Sequence, residues 1–274
     1  MAITITITNE KGGVAKTTTT LSLGAALVES GSQVLLIDLD AQANLTLALG
    51  FDPLEVKKTA VNLFKGEPLQ PLLVETAVPG LSLLPSNHEI NYAERFLPTK
   101  PGYEVLLKNG ISNAVDLDFD YILMDCPPFL GAIVLNAFTA ANLLLIPTQA
   151  EYFSIYALKN MMGLIRRVRA QTNPDLSYRL LLTMYDGRNR IHRTLSEQLR
   201  GSFSEGVLQT VVMVDTKLRE STIAGLPIIF HSPNLSLIHI SEPTRLLSIS
   251  YAVFCLKKKK NTPHPPPPPP CNQA

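Results

Sequence analysis

Cysteine is scarce in this sequence: Cys126, Cys255 and Cys271 are the whole supply in 274 residues. Three scattered thiols exclude a disulfide framework, and with no C-x-x-C spacing among them they offer no thiolate metal site. A reducing, cytoplasmic setting is the simplest expectation. Long apolar runs are missing too. Nothing reaches the roughly 18 consecutive apolar residues of a membrane-spanning helix. The first residues carry no basic stretch followed by an apolar one, so no signal peptide is expected. No helix-turn-helix pattern and no aromatic stacking motif stands out. The ordinary phosphate-loop pattern, G-x-x-x-x-G-K-[ST], is absent as well, because Glu10 and Ala15 occupy its two glycine positions.

What remains is a chain with ample core material, 46% hydrophobic, and a net charge of only +1. That small net charge hides an asymmetry. Residues 1–158 hold 8 Lys/Arg against 16 Asp/Glu, whereas residues 159–219 hold 11 against 5. A basic segment on an acidic protein points to a polyanion partner.

The stretch Asn9–Thr18 organises the rest. Ala2–Thr8 alternates small and β-branched residues and predicts a strand, and Thr19–Ser30 predicts a helix closed by Gly31. Between them lie Lys11, Gly12, Gly13, Val14, Ala15, Lys16, Thr17 and Thr18. Strand, glycine-bearing loop, lysine, hydroxyls and helix are the layout of a phosphate cradle, in which backbone N–H groups and a helix N-terminus face an anion. A backbone with φ > 0 at Ala15 would cost about 1 kcal/mol in steric strain.

Gln33–Leu39 is a continuous apolar run, the mark of a parallel strand buried on both faces, and it runs out at Asp38 and Asp40. Carboxylates at such a strand end sit at the ligand edge of an open α/β sheet, where they suit a Mg²⁺ site and the positioning of a water. Asp120–Cys126 is a second such strand, ending at Asp125 in a Walker B pattern. Further strands are predicted at Leu81–Pro85, Leu143–Pro147, Arg179–Tyr185 and Val207–Val214. Helices are predicted at Glu89–Leu97, Tyr103–Ala114, Ile155–Arg169 and Ile191–Leu199, with one more near Thr59–Phe64. Residues 51–80 read as short helical or irregular pieces broken by prolines. Alternating strands and helices give an α/β fold: a doubly wound, mostly parallel sheet.

Lys11–Thr18 resembles the deviant Walker A pattern K-G-G-x-G-K-[ST]-[ST], with Ala15 in place of its glycine. Asp38–Asn44 resembles D-x-D-x-Q-x-N, Asp125–Pro128 resembles D-x-P-P, Pro147–Tyr152 resembles P-x-Q-x-E-Y, and the segment up to Arg188 resembles T-M-x-D-x-R. In this order, over about residues 1–232, these motifs resemble the ParA/Soj branch of P-loop ATPases. The resemblance implies an ATPase of weak basal activity that uses ATP and Mg²⁺, dimerises on ATP, binds DNA without sequence preference and partitions chromosome or plasmid DNA with a ParB-type stimulator, in the cytoplasm on the nucleoid. It implies that Lys16 contacts the β/γ-phosphates, that Thr17 ligates Mg²⁺ with support from Asp125 and, in the outer shell, Asp38, and that Asp40 orients the attacking water. Lys11 would reach the partner subunit's phosphates, and Asp186 would lie beside the nucleotide. Arg188, Arg190, Arg193, Lys217 and Arg219 are the DNA candidates. A nitrogenase-iron-protein relative would need two well-placed cysteines, and Cys126 alone reads as a buried, inert thiol.

Two alternatives use the same engine: a MinD-like positioning ATPase on a membrane or protein scaffold, and a nucleotide-binding regulator with negligible turnover. Beyond Pro233 the family would continue into a terminal amphipathic helix. Residues 234–274 instead carry Lys257–Lys260 and Pro265–Pro270, homopolymers that A-rich and C-rich nucleotide runs encode. Ser236–Leu256 resembles translated adapter sequence, so this tail is expected to be non-native read-through and the terminal helix to be missing. Leu246–Leu256 is mostly apolar but lacks the polar face of an interfacial anchor, so no membrane partner is expected.

Overall fold

The computed structural model describes residues 2–114, 117–214 and 227. Lys217, Arg219 and the 234–274 tail therefore lie outside the described residues.

Eight strands form one sheet: β1 (Ile3–Ile7), β2 (Val34–Asp38), β3 (Val74–Glu75), β4 (Leu81–Leu84), β5 (Tyr121–Asp125), β6 (Leu143–Gln149), β7 (Ser177–Tyr185) and β8 (Val207–Met213). Their spatial order is β3-β4-β2-β5-β1-β6-β7-β8. All pairings are parallel except the short antiparallel β3–β4 edge. The continuous apolar runs have the physical cause their composition predicts. Along β2, Val34 and Leu36 enter one hydrophobic layer while Leu35 and Ile37 enter the other, and β5 and β6 divide their residues the same way. One layer is covered by α1 (Lys16–Glu29) and α2 (Asn44–Ala48). The opposite layer is covered by α3 (Ala60–Lys65), α4 (Ile90–Phe96), α5 (Leu106–Ser112), α6 (Ala132–Ala140), α7 (Tyr152–Gln171) and α8 (Arg190–Phe203).

The doubly wound reading holds, with local differences. Helix α1 starts at Lys16 rather than Thr19, so the second lysine belongs to the helix and not to the loop. Tyr103–Ala114 resolves into a 3₁₀ turn over Tyr103–Val105 followed by α5. The two-residue strand β3 and the short α2 fall where no regular element was expected. Helix α6 was also unanticipated. Its sequence, AIVLNAFTA, has no polar face because Ala132–Thr139 are all buried, and such a run cannot be told from a strand by periodicity. Its one amide side chain, Asn136, is satisfied internally: Nδ2 donates to Ala132 O at 3.0 Å and Oδ1 accepts from Leu107 N at 3.2 Å.

The topology fixes where a ligand can sit. From β1 the chain winds toward β2, and from the neighbouring β6 it winds the other way, toward β7. The carboxyl ends of β1 and β6 thus flank a topological switch point, the crevice where open α/β sheets bind ligands.

Candidate functional site

The Asn9–Ala15 loop emerges at that crevice from the end of β1. Asn9 is fully buried and holds the turn from both sides: Oδ1 accepts from Lys11 N at 2.9 Å, and Nδ2 donates to Pro147 O at 2.7 Å. Gly13 has φ 72° and Ala15 has φ 66°, ψ 37°. Ala15 therefore does occupy the left-handed region, and its Cβ carries the strain that a glycine would avoid. A Cβ on Gly12 or Gly13 would meet nothing within 4 Å, so the rim of the loop is open. Helix α1 follows with no acidic residue in its first turn and no side-chain cap. Its leading N–H groups and the positive end of its dipole are left for an anion.

Lys16, in the first turn of α1, is 8% exposed, and its Nζ donates to Lys11 O at 3.2 Å. Burial lowers its pKa, while the nearby carboxylates Asp125 and Asp40 pull it back up. Among the described residues it forms no ion pair. Thr17, one residue on, donates from Oγ1 to Asp125 Oδ2 at 2.6 Å. Asp125 is 1% exposed, and its other oxygen, Oδ1, is buried without a hydrogen-bond partner among the described residues. Burial raises its pKa well above the ordinary carboxylate range, Asp38 adds to the rise, and Thr17 and Lys16 oppose it. A buried carboxylate beside a hydroxyl, with one oxygen uncommitted, is a donor set suited to a hard cation.

Asp38 and Asp125 are paired Cα partners at the ends of β2 and β5. Asp38 is fully buried and already committed: Oδ1 accepts from Asp40 N at 3.1 Å, and Oδ2 accepts from the Thr46 N–H at 2.9 Å and hydroxyl at 2.8 Å. Burial pushes its pKa up to about 6 despite these bonds. Asp40, partly exposed, accepts from Gln42 N at 3.0 Å. Among the described residues no group of three His, Cys, Asp or Glu side chains is arranged to hold a metal ion alone.

The Lys11 side chain has partners of its own on β6 and just beyond it. Its ammonium pairs with Glu151 and donates to Gln149 Oε1 at 2.9 Å. Gln149 Nε2 in turn donates to Gly13 O at 3.2 Å, and Thr183 Oγ1 donates to Val14 O at 3.1 Å. The ends of β6 and β7 thereby grip the loop. Glu10 is tied to α7 through Asn160 Nδ2, at 3.1 Å. Gln149, Glu151, Thr183, Asn9 and Thr46 were not singled out as site residues. The first four share a signal, a polar residue within two positions of the carboxyl end of a parallel strand, whereas Thr46 sits in α2 and carries no such signal.

Asp186 lies in the β7–α8 turn. It accepts from the backbone N–H of Arg188 at 2.9 Å and from its Nε at 3.1 Å, and this partner lowers its pKa. The Asp186 N–H donates to His192 Nδ1 at 3.1 Å. Arg188, Arg190 and Arg193 are all exposed, around the start of α8. Cys126 is fully buried, and burial together with Asp125 raises its pKa, which keeps the thiol protonated and unreactive.

A family profile described as an AAA domain matches residues 2–178. The sporulation initiation inhibitor protein Soj of Bacillus subtilis is 36% identical over 231 residues, covering 84% of this chain and 91% of that protein. The chromosome partitioning protein ParA of Caulobacter vibrioides is 33% identical over 237 residues, covering 83% and 86%. This chain belongs to the ParA/Soj family. Among solved structures, the cobyrinic acid a,c-diamide synthase of Mycobacterium smegmatis, with bound ADP and magnesium, is 35% identical, with a TM-score of 0.75 over 87% of this chain and 96% of that one. McdA of Cyanothece in complex with ATP shares the ParA/Soj fold at 22% identity, with a TM-score of 0.81 over 92% and 96% of the two chains.

Proposed function

We propose that this chain is an ATP-hydrolysing partition protein that dimerises on ATP, binds DNA non-specifically and segregates chromosome or plasmid DNA with a ParB-type stimulator. The observation that carries this reading is the contact between Thr17 and Asp125, which leaves one buried Asp125 oxygen uncommitted beside an uncapped helix N-terminus. Family membership and the bound ADP and magnesium of the Mycobacterium smegmatis relative support it.

In this reading the loop amides of Gly12–Thr18 and the start of α1 take the phosphates, and Lys16 supplies a full charge at the β/γ position. Partial burial makes that charge count for more than it would in water. Thr17 and Asp125 would hold Mg²⁺, with Asp38 behind them fixing the β2 turn. When bound, the ion would offset the charge on the phosphate oxygens. Asp40 holds the attacking water, and Asp186 borders the nucleotide. Lys11 leaves Glu151 to reach the phosphates of the partner subunit, as a charge supplied in trans. Arg188, Arg190 and Arg193, with Lys217 and Arg219, contact DNA phosphates, so retention on DNA falls steeply with salt and is indifferent to sequence.

ATP hydrolysis measured with and without DNA, together with ATP-dependent retention on unrelated duplexes, tests this reading. Lys16→Ala is expected to lose turnover. Retention on DNA that is the same with and without ATP would count against it. The left-handed Ala15 favours one second reading, a nucleotide-binding regulator that scarcely turns over.

A further inference from the structure

One carboxylate outside this constellation makes a contact that neither strand nor loop periodicity predicts. Glu94, on α4, accepts from the first two N–H groups of α6: Oε2 from Ala132 N at 2.7 Å and Oε1 from Ile133 N at 3.0 Å. Helix α6 begins directly after the six-residue loop Cys126–Gly131 that follows Asp125. That loop is pinned to the sheet at its start, where Cys126 N donates to Ile7 O at 3.1 Å, and Glu94 pins its far end. The seat is close. A Cβ on Gly131 would lie 2.3 Å from Glu94 Oε2 and 2.4 Å from the Phe129 ring, so only glycine leaves room for the carboxylate there. Pro127 and Pro128 stiffen the span between the two pins.

The root of α4 is tied to the other acidic strand end. Ser86 N donates to Thr46 Oγ1 at 3.0 Å, and that hydroxyl donates to Asp38 Oδ2 at 2.8 Å. Four residues after Ser86, α4 begins. The segment leading into α4 is thus tied through Thr46 to Asp38, and α4 itself is tied through Glu94 to the end of the Asp125 loop. Such a bidentate, charge-assisted cap is stronger than the neutral bonds around it. It is also directional, because a glutamine in its place could accept from only one of the two N–H groups.

We propose that Glu94 is a positioning residue: by holding the N-terminus of α6 it fixes the Cys126–Gly131 loop and so the orientation in which Asp125 supports Mg²⁺. The inference rests on the reading of Asp125 as the metal-supporting carboxylate. A residue acting this way is expected to change the requirement for Mg²⁺ while leaving the phosphate loop, on the other strand, alone.

The test is a fluorescent-ADP titration of the full chain in EDTA and across Mg²⁺ concentrations, comparing wild type with Glu94→Gln and Glu94→Asp. It is accompanied by amide hydrogen exchange on the nucleotide-free proteins. Glu94→Gln is expected to raise the Mg²⁺ concentration for half-maximal tightening about tenfold, the usual scale for loss of a group supporting a metal ligand. ADP affinity in EDTA should stay within about twofold, and exchange should quicken at Ala132 and Ile133 but not in residues 10–19. Glu94→Asp keeps the charge and should fall between. If wild type shows no Mg²⁺-dependent tightening, the metal reading of Asp125 fails and the inference falls with it. If wild type tightens and Glu94→Gln needs no more Mg²⁺, the inference alone fails. Loss of affinity in EDTA parallel to that in Mg²⁺ would also overturn it, by showing a general structural role. Should Glu94→Gln not fold, Glu94→Asp carries the same comparison.

Discussion

The ammonium of Lys11 is paired with the carboxylate of Glu151, a residue 140 positions away at the start of α7. The first lysine of the loop is therefore held by its own chain. If that lysine serves a partner subunit, the pair must open on dimerisation, and its strength is charged against the dimer. Side-chain exposures of 27% and 48% place it among partly solvated pairs, worth about 0.5–1 kcal/mol. Both protomers open the pair, so Glu151→Gln is expected to lower the concentration at which the ATP-bound dimer forms by roughly five- to thirtyfold. Sedimentation velocity over a protein dilution series with ATP measures this, and a weaker dimer in the variant would contradict the latch.

Ala15 makes a second, independent prediction. With φ 66° it sits in the left-handed region, at a cost of about 1 kcal/mol. Ala15→Gly removes the clash, though glycine gives back part of the gain as unfolded-state entropy. The expected result is a thermal midpoint raised by about 1–3 °C. ATP turnover should change less than about threefold. A rise in turnover of ten times or more would instead mark Ala15 as the brake that the regulator reading requires.

Asp38 sets a pH dependence. Burial pushes its pKa up to about 6, so the folded chain holds this proton more tightly than the unfolded chain does. The group favours the folded state at low pH, and that contribution is lost as pH rises through about 6. In EDTA and without nucleotide, the stability of Asp38→Asn relative to wild type should increase between about pH 4 and 7, by at most about 3 kcal/mol, and level off above. Chemical denaturation at each pH reads the difference. A flat profile would show that Asp38 does not titrate in this range.

Asp125 is buried, carries an uncommitted oxygen and has its pKa raised well above normal. Such a group is held at the expense of fold stability. Asp125→Asn keeps an acceptor for Thr17 and sheds the buried charge. It is expected to raise the thermal midpoint of the nucleotide-free protein by a few degrees, on the order of 1–2 kcal/mol, while abolishing Mg²⁺-dependent hydrolysis. A variant that is both less stable and still active would contradict this account of the residue.

The parallel strands and the candidate residues at their ends were legible because their signals are local. An apolar run that ends in a carboxylate, as at Asp38 and Asp125, states both the burial of a strand and the edge on which it opens. The lysine pair could likewise be read from its spacing. Helix α6 could not, since a helix buried on every side has no amphipathic period to betray it. The partners Glu151 and Glu94 were hidden for another reason. Glu151 meets Lys11 only because β6 lies beside β1, and Glu94 meets Ala132 only because α4 and α6 share one face of the sheet. The sign of φ at Ala15 likewise belongs to the folded loop, although the chemistry of the neighbouring residues had already raised the question.

The most direct test of the account is the mass of the protein in solution. Light scattering with saturating ATP and Mg²⁺, on a chain slowed by Asp40→Ala so that the bound state persists, should show the 30.0 kDa species replaced by one of twice that mass. Adding Lys11→Ala to that background should leave nucleotide binding intact and return the mass to that of the monomer. A chain that binds ATP yet stays monomeric, or a Lys11→Ala variant that dimerises as readily as its parent, would contradict the claim that the first lysine of the loop serves a second subunit.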